Sequence, residues 1–251
     1  MTPSLTLGYV PGGTPAKWAR IWEQRHRDAE LTLIPVAAAD ATAAVRDGDV
    51  DIALIRLPAD TSGLAVIPLY DETAVAVVPT DHLLSAADEL RAADLDGQPV
   101  LIPADDVVAW PDAPGVPVDH RPENTAAAIE LVAAGVGVLV VPQSLARLHH
   151  RKDLTYRPIA DAPACPVALA VPAGQQPPLI EEFIGIVRGR TANSSRGRNP
   201  HETPKTKSKA PRSAQPRAAK QQPATSGKAR AQDTRRGKPG SKAKPGGRKR
   251  R

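Results

Sequence analysis

The sequence predicts an α/β fold made of two similar lobes joined by a two-stranded hinge. Two segments carry this prediction, because both run from the end of a helix through a glycine turn into a strand: VRDGDVDIALIRLP over 45–58 and IELVAAGVGVLVVP over 129–142. Continuous apolar strands that alternate with helices are typical of parallel sheets covered on both faces. Two such Rossmann-like lobes enclose a cleft, and α/β proteins hold small molecules in clefts of this kind.

The chain divides by charge into an acidic body and a basic tail. Residues 1–190 contain 14 Lys and Arg against 25 Asp and Glu, a formal charge of −11. Residues 191–251 contain 19 Lys and Arg against 2 Asp and Glu, a formal charge of +17. About 190 residues suffice for two lobes of roughly 100 residues that each bury a core. We therefore predict a folded body over 1–190 and a separate tail over 191–251.

Three observations predict a cytoplasmic protein, and the basic tail adds the expectation that it associates with the nucleoid. The single cysteine, Cys165, excludes an intramolecular disulfide, as is usual in reducing compartments. The amino-terminal MTPSLTLGYV has neither the basic start nor the long apolar run of a signal peptide. No stretch reaches the roughly 18 consecutive apolar residues of a membrane span, so no membrane partner is expected.

The first lobe is predicted from three apolar strands and two helices. The strands cover 5–10, 31–36 and 50–55. Thr14 is expected to cap the first helix, with Pro15 in the first helical position. Asp40 is expected to cap a short second helix that ends at Gly48. The apolar strand over 74–78 then leaves the lobe.

The second lobe is predicted from a central strand over 136–141 and a preceding helix over 126–134 that Asn124 and Thr125 cap. The other elements are a first strand over 100–103, a short helix over 143–149, an edge strand over 154–159, a returning strand over 166–171 and a closing helix over 178–187. We expect the chain to cross between the lobes near 78–80 and near 169–172. The predicted domains are therefore 1–79 with 172–190 for the first lobe and 80–171 for the second.

Five segments follow one another along the body in a specific order. They are VRDGDVDIALIRLP, IPLYDETAVAVVPTDHLL, DLDGQPVLIP, IELVAAGVGVLVVPQS and PVALAVP. This order resembles the effector-binding domain of LysR-type transcriptional regulators, whose fold is shared with type 2 periplasmic binding proteins. The resemblance extends over about residues 5–190. It implies a bilobal domain that binds a small-molecule effector, takes part in transcription regulation and forms a homodimer.

Three features depart from the usual layout of that family. Family members begin with a winged helix-turn-helix, whereas the first strand here starts within a few residues of Met1, so no such DNA-reading element is expected. Pro111, Pro114 and Pro117 preclude the helix that family members usually carry early in the second lobe. We therefore expect a trimmed second lobe that contributes less to the ligand site and to a dimer surface. The basic tail has no counterpart in the family.

Ligand contacts are predicted in the loops after strands and at the starts of helices, where free N–H groups and the helix dipole favour anions. Gly12, Gly13 and Thr14 form the first such loop, and the resemblance implies a Ser or Thr contact there; the alternative is a plain turn with a cap. Arg56 follows the strand over 50–55, and its guanidinium suits a carboxylate or phosphate. The alternative for this residue is a solvated arginine at a strand end.

Three further polar residues complete the predicted ligand site. Asn124 and Thr125 are expected to approach the ligand from the second lobe, or else to act only as helix caps. Thr80 is expected on the floor of the cleft beside the first crossing, or else to be an ordinary turn residue. The effector is accordingly predicted to be small and anionic.

No sequence signal supports a metal site, a cofactor or a catalytic set. The acidic DGDVD over 47–51 is followed by residues that cannot complete a calcium loop. The GVG over 135–137 precedes a strand, whereas the glycines of a dinucleotide fingerprint follow one. Six scattered histidines and one cysteine give no zinc spacing, and Cys165 is interpreted as an idle thiol. We predict a protein without a cofactor that is not an enzyme; an enzyme on the same bilobal fold would need a clustered catalytic set.

The tail is predicted to be disordered and to bind DNA or RNA without sequence preference. Apart from proline it has no apolar residue larger than alanine, so it cannot offset the entropy cost of ordering, and it has no aromatic residue for base stacking. The expected contacts are Arg235, Arg236, Lys238, Lys242, Lys244, Arg248, Lys249, Arg250 and Arg251. The alternative is a tail that folds back on the acidic body.

Two functions of different kinds follow from these features. The first is a stand-alone small-molecule sensor related to transcription, with a tail that tethers it to nucleic acid. The second is a structural protein that associates with nucleic acid through its tail, while its body is a vestigial ligand-binding fold. An effector that modulates DNA association separates the two.

Overall fold

The computed structural model of the chain describes residues 2–190, which form two five-stranded sheets with five α-helices. The strands are β1 (Ser4–Tyr9), β2 (Glu30–Pro35), β3 (Ile52–Arg56), β4 (Leu64–Glu72), β5 (Ala74–Pro79), β6 (Pro99–Leu101), β7 (Val116–Pro117), β8 (Val138–Pro142), β9 (Leu154–Pro158) and β10 (Cys165–Pro172). The helices are α1 (Ala16–Arg25), α2 (Ala41–Arg46), α3 (Thr125–Ala133), α4 (Gln143–Leu148) and α5 (Pro178–Val187). The predicted disorder of the tail concerns residues outside this described range.

Each lobe is built on one mixed sheet. In the first lobe the strand order is β2-β1-β3-β10-β4, with β1 parallel to β2 and β3, and with β10 antiparallel to β3 and β4. In the second lobe the order is β7-β6-β8-β5-β9, with β6 parallel to β7 and β8, and with β5 antiparallel to β8 and β9. The two lobes therefore share one plan: a parallel part next to antiparallel strands that come from the exchange between lobes.

The chain crosses between the lobes earlier than the sequence pattern predicts. β4 ends at Glu72 in the first sheet and β5 begins at Ala74 in the second, so Thr73 makes the first crossing. The return runs from the end of β9 to the start of β10, over 159–164. The crossings predicted near 78–80 and 169–172 are therefore wrong, because β5 lies wholly in the second sheet and β10 wholly in the first.

The misplaced crossings have a common cause, which is the unpredicted strand β4. Its sequence LAVIPLYDE contains Pro68, which cannot donate a hydrogen bond to a neighbouring strand. β4 tolerates this proline because it is an edge strand, and its pairing with β10 shifts register at Val167 and Ala168, where Pro68 lies opposite Ala168.

Large apolar side chains fill the core of the first lobe between its sheet and the helices α1 and α5. Trp22 and Phe183 are completely buried, with their ring centroids 6.0 Å apart. The Trp22 indole N–H donates a hydrogen bond of 3.0 Å to the carbonyl oxygen of Ala29, so burial leaves no unpaired donor on this ring. Smaller side chains from α2 pack on the opposite face of the sheet.

The predicted edge position of the strand over 154–159 is confirmed, since β9 ends the second sheet.

Helix capping is confirmed at one of the four residues for which the sequence predicts it, since Thr125 lies within α3 and its hydroxyl donates to Asp105. Asn124 Oδ1 accepts a hydrogen bond of 2.9 Å from the Ala127 N–H at the start of α3. Thr14 does not cap α1, because Pro15 takes the flanking position with φ −73° and ψ −8°. Asp40 flanks α2 but its side chain makes no capping bond there, so this second prediction is also wrong.

The proline-rich segment of the second lobe forms no helix, as predicted. Within 102–124 the only regular element is the two-residue strand β7, which pairs with β6. Pro111, Pro114 and Pro117 account for this, because each removes a backbone donor and fixes φ. Within 2–190, no helix is both long enough and apolar enough to cross a membrane.

Candidate functional site

A cavity of about 670 Å³ lies between the two sheets. The first lobe lines it with Pro11 after β1, 37–39 after β2, and 56–58 at the end of β3. The second lobe lines it with 104–109 after β6, with 124–126 at the start of α3, and with Leu145, Leu148 and His149 at α4. These are the carboxyl ends of the parallel strands, where open α/β sheets bind ligands. The cleft predicted from the sequence therefore exists at the expected edge of both sheets.

Arg56 lines this cavity and is bound by both lobes. Its Nη1 donates a hydrogen bond of 2.9 Å to Glu72 Oε2, and its Nη2 donates to the carbonyl oxygen of Pro11 at 3.0 Å and to Ser144 Oγ at 2.9 Å. Ser144 Oγ donates in turn to the same Glu72 oxygen at 2.6 Å. We call Arg56, Glu72 and Ser144 the interlobe clasp, because Ser144 belongs to α4 of the second lobe and the other two to the first.

The clasp is largely removed from water. The Arg56 side chain is 4% exposed and that of Glu72 is 10% exposed. A buried ion pair of this kind depends on every partner, because loss of one leaves an uncompensated charge in a medium of low polarity. The alternative of a solvated Arg56 is therefore wrong. Its guanidinium already holds a carboxylate supplied by the protein.

The first predicted loop contacts the clasp more than the cavity. Gly12 has φ +79°, and a Cβ atom there would lie 2.6 Å from Ser144 Oγ and 3.0 Å from Arg56 Nη2. A Cβ atom at Gly13 would lie 2.9 Å from the carbonyl oxygen of Val10. Thr14 is exposed, and neither it nor the two glycines line the cavity. Gly12 is needed for close approach of the lobes, and Gly13 for the tight turn after β1 within the first lobe. A direct ligand contact from this loop stays a prediction.

Thr80 lies away from the cavity. Its N–H donates a hydrogen bond of 3.0 Å to the carbonyl oxygen of Asp153, and its own carbonyl oxygen accepts one of 2.9 Å from Ser85 Oγ. Because the chain crosses at Thr73, position 80 follows the far end of β5. Its predicted place on the floor of the cleft is therefore wrong.

The start of α3 faces the cavity, as predicted. Asn124 and Thr125 both line it. Thr125 is 4% exposed, and its Oγ1 donates a hydrogen bond of 3.0 Å to Asp105 Oδ1. Two of the polar groups at this helix start are thus engaged within the protein, one as a cap and one with a carboxylate. Their contact with a ligand stays a prediction.

Two carboxylates that the sequence analysis did not select lie in the cavity wall. Asp105 and Asp106 follow β6 in the segment IPADDVV. Asp106 Oδ1 accepts a hydrogen bond of 2.9 Å from the Val108 N–H. Desolvation raises the pKa of Asp106, the negative charge of Asp105 adds to this increase, and hydrogen bonds to backbone N–H groups oppose it. The position of both residues directly after a buried strand is the sequence signal that could have found them.

We expect Asp106→Asn to stabilise the protein at neutral pH. Because the pKa of Asp106 is raised, the folded state binds more protons than the unfolded state between the ordinary value of 3.8 and the folded value. The free energy of unfolding therefore falls as the pH rises through this window, and the deficit is complete above it. Asparagine removes the charge but keeps the oxygen that accepts from Val108. Urea denaturation at neutral pH and near pH 3.8 should show a gain that shrinks at the lower pH; a gain independent of pH would contradict this assignment.

Cys165 is placed as an inert thiol. It begins β10 and is 3% exposed. Burial raises the pKa of its thiol to about 11, so the reactive thiolate is scarce at neutral pH.

Within 2–190, no three His, Cys, Asp or Glu side chains are arranged to hold a metal ion.

The fold and the cavity define a class of protein: bilobal domains with a cavity between two α/β lobes. A family model described as the LysR substrate binding domain matches residues 4–192. The chain belongs to this family, as the order of its motifs suggested.

Several proteins similar to this chain are described as transcriptional regulators. The Hca operon transcriptional activator HcaR of Escherichia coli strain K12 is 28% identical over 204 residues, which cover 75% of this chain and 68% of that protein. The HTH-type transcriptional regulator CatR of Pseudomonas putida is 28% identical over 196 residues, covering 73% and 67%. A probable hydrogen peroxide-inducible genes activator of Mycobacterium leprae is 33% identical over 134 residues, covering 48% and 42%.

Solved structures show the same fold. The effector binding domain of BenM with its effector benzoate is 20% identical with a TM-score of 0.62, and the match covers 74% of this chain and 91% of that one. A hydrogen peroxide-bound cysteine mutant of OxyR from Corynebacterium glutamicum is 23% identical with a TM-score of 0.60, covering 75% and 67%. The type 2 periplasmic-binding-protein-like architecture predicted from the sequence is thereby confirmed.

Proposed function

We propose that this protein is a sensor that binds a small-molecule effector in the interlobe cavity and takes part in transcription regulation. The observation that supports this most strongly is the cavity of about 670 Å³, which both lobes line at the carboxyl ends of their parallel strands. Its volume falls in the range of about 300–1,000 Å³ that is usual for small-molecule sites. Membership of a family of substrate-binding domains supports the same interpretation.

The charge of the effector depends on which side chains of the cavity are free to bind it. In the sequence, Arg56 and the start of α3 favour an anion. Arg56 is paired with Glu72, so it offers an incoming anion much less than a free guanidinium would. The start of α3, at Asn124 and Thr125, is the remaining support for an anionic effector.

Binding can be tested by a thermal-shift and calorimetric screen of organic acids, amino acids, amines and neutral metabolites. A compound present at about 100 times its Kd should raise the free energy of unfolding by about 2.7 kcal/mol, because it binds only the folded state. The control is Ala39→Trp, which places a large side chain in the cavity wall and should abolish the shift. A full panel without any shift, or shifts that persist in the control, would count against the proposal.

We further propose that the segment 191–251 tethers the protein to nucleic acid through its charge of +17. A polycation binds nucleic acid by releasing counterions, so affinity should fall steeply with salt and depend little on base sequence. Changing the nine basic residues selected above, from Arg235 to Arg251, to glutamine should abolish most DNA binding in a filter or anisotropy assay. Unchanged binding, or binding that prefers one sequence, would overturn this part of the proposal.

The second candidate, a structural nucleic-acid protein with a vestigial body, is separated by the same measurements. It requires that no effector binds and that the tail accounts for all DNA association. The proposal also includes a homodimer, which the family resemblance implies, action in the cytoplasm, which the sequence features favour, and association with the nucleoid, which the basic tail favours. Sedimentation with and without a bound effector tests the dimer.

A further inference from the structure

The cavity wall is apolar over most of its area. The first lobe contributes the alanines at 37–39, and the second contributes Val107, Leu145 and Leu148. Such a wall binds the hydrocarbon part of a ligand by removing apolar surface from water. It offers few groups that could replace the hydration shell of a multiply charged metabolite. The body of the ligand is therefore expected to be apolar.

The formal charges around the cavity are not favourable to an anion. The titratable side chains that line it are Arg56, Asp105, Asp106 and His149. Arg56 forms its ion pair with Glu72 at 2.9 Å, so the pair as a whole adds no net charge. Arg121 is the one cation that lowers the pKa of Asp106, and its effect is the weakest of those acting on that carboxyl. The hydrogen bonds that the two aspartates accept come from neutral groups, the Thr125 hydroxyl and the Val108 N–H.

The helix start does not reverse this balance. The amino terminus of α3 carries the equivalent of roughly half a positive charge. Asn124 Oδ1 already accepts from the Ala127 N–H, and the Asp105 carboxylate already accepts from Thr125 at this helix start. The carboxyl group of Asp105 therefore occupies the helix end before any ligand enters. A second carboxylate, Asp106, lies beside it in the wall.

We infer that the effector is an amine with an apolar body, and that its ammonium group lies beside Asp105 and Asp106 while its hydrocarbon part contacts the alanine and leucine wall. This inference rests on the proposed function, because it specifies the ligand of the same cavity. It reverses the charge that the sequence predicted for the effector. The cavity encloses the ligand, and the two carboxylates favour an ammonium group over a neutral or anionic group.

The test compares ligands that share a skeleton and differ only in charge. Matched sets of an amine, an alcohol and a carboxylate on aryl and branched alkyl skeletons are titrated calorimetrically into the full chain, at about pH 8 so that an ordinary imidazole is uncharged. We expect each binding amine to exceed its carboxylate by about tenfold or more in affinity, with the alcohol between them. Asp105→Asn and Asp106→Asn should each reduce the preference for the amine, whereas Asp112→Asn, an exposed change in the same loop that does not line the cavity, should not.

Each result decides the inference. A preference for the amine that both cavity aspartates reduce supports it. A carboxylate that binds as well as or better than its amine overturns the inference and leaves the proposed sensor function intact. If no member of any set binds, and the broader screen is also silent, the proposed function fails and the inference fails with it.

Discussion

Arg56→Met is expected to destabilise the protein by about 3–5 kcal/mol, because it leaves the Glu72 carboxylate buried without its cation. Glu72 is 10% exposed and receives hydrogen bonds from Arg56 and from Ser144. Methionine keeps much of the length of the arginine side chain, so the change isolates the charge and the hydrogen bonds. Urea denaturation followed by far-ultraviolet circular dichroism gives the free energy of unfolding of each variant.

A double substitution separates the charge effect from a packing effect. Arg56→Met combined with Glu72→Gln removes both charges, so we expect the double variant to have a higher free energy of unfolding than Arg56→Met alone. If the double variant is instead less stable than either single one, by the sum of the two losses, the ion pair is not the cause. Arg56→Met should also weaken the binding of any effector, since position 56 lines the cavity and fixes the contact between lobes.

The parts of the fold that the sequence predicts are those encoded by local signals. The helix, glycine and strand succession over 129–142 appears as α3, Gly135 with φ +76°, and β8 at the centre of its sheet. Here the apolar period, the left-handed glycine and the β-branched run all lie within 14 consecutive residues. β4 was missed because its local pattern contains a proline, and only its place at the sheet edge makes this residue acceptable.

The sequence predicts where the candidate site lies better than it predicts the charges and hydrogen-bond partners of its residues. The sequence selected Arg56 as a ligand contact, and it does line the cavity. Its partners, Glu72 and Ser144, are 16 and 88 residues away in the chain, so spacing could not reveal that the guanidinium is already paired. The sequence does not identify Asp105 and Asp106 as residues of the site, and the reason is related. A pair of aspartates after a strand looks like an ordinary surface turn until the opposite lobe is in place.

Gly12→Ala is the second substitution with a large expected effect. At φ +79° any side chain costs about 1–2 kcal/mol of backbone strain. The new Cβ atom would also lie 2.6 Å from Ser144 Oγ and 3.0 Å from Arg56 Nη2, so the clasp must shift. Overpacking of this kind adds about 1–3 kcal/mol. We expect a lower free energy of unfolding together with weaker effector binding, because the two lobes can no longer approach as closely.

Gly48→Ala is the matched control. Gly48 has the same φ of +79°, but nothing lies within 4 Å of the position that its Cβ atom would take. It should therefore show the backbone strain without the clash, and leave effector binding unchanged. Adding Ser144→Gly to Gly12→Ala removes two of the three atoms that the new methyl group meets and leaves Arg56 Nη2, so the losses should be less than additive. Equal losses in Gly12→Ala and Gly48→Ala would mean that the turn after β1 needs its glycine only for backbone conformation, and that the clasp does not set the distance between the lobes.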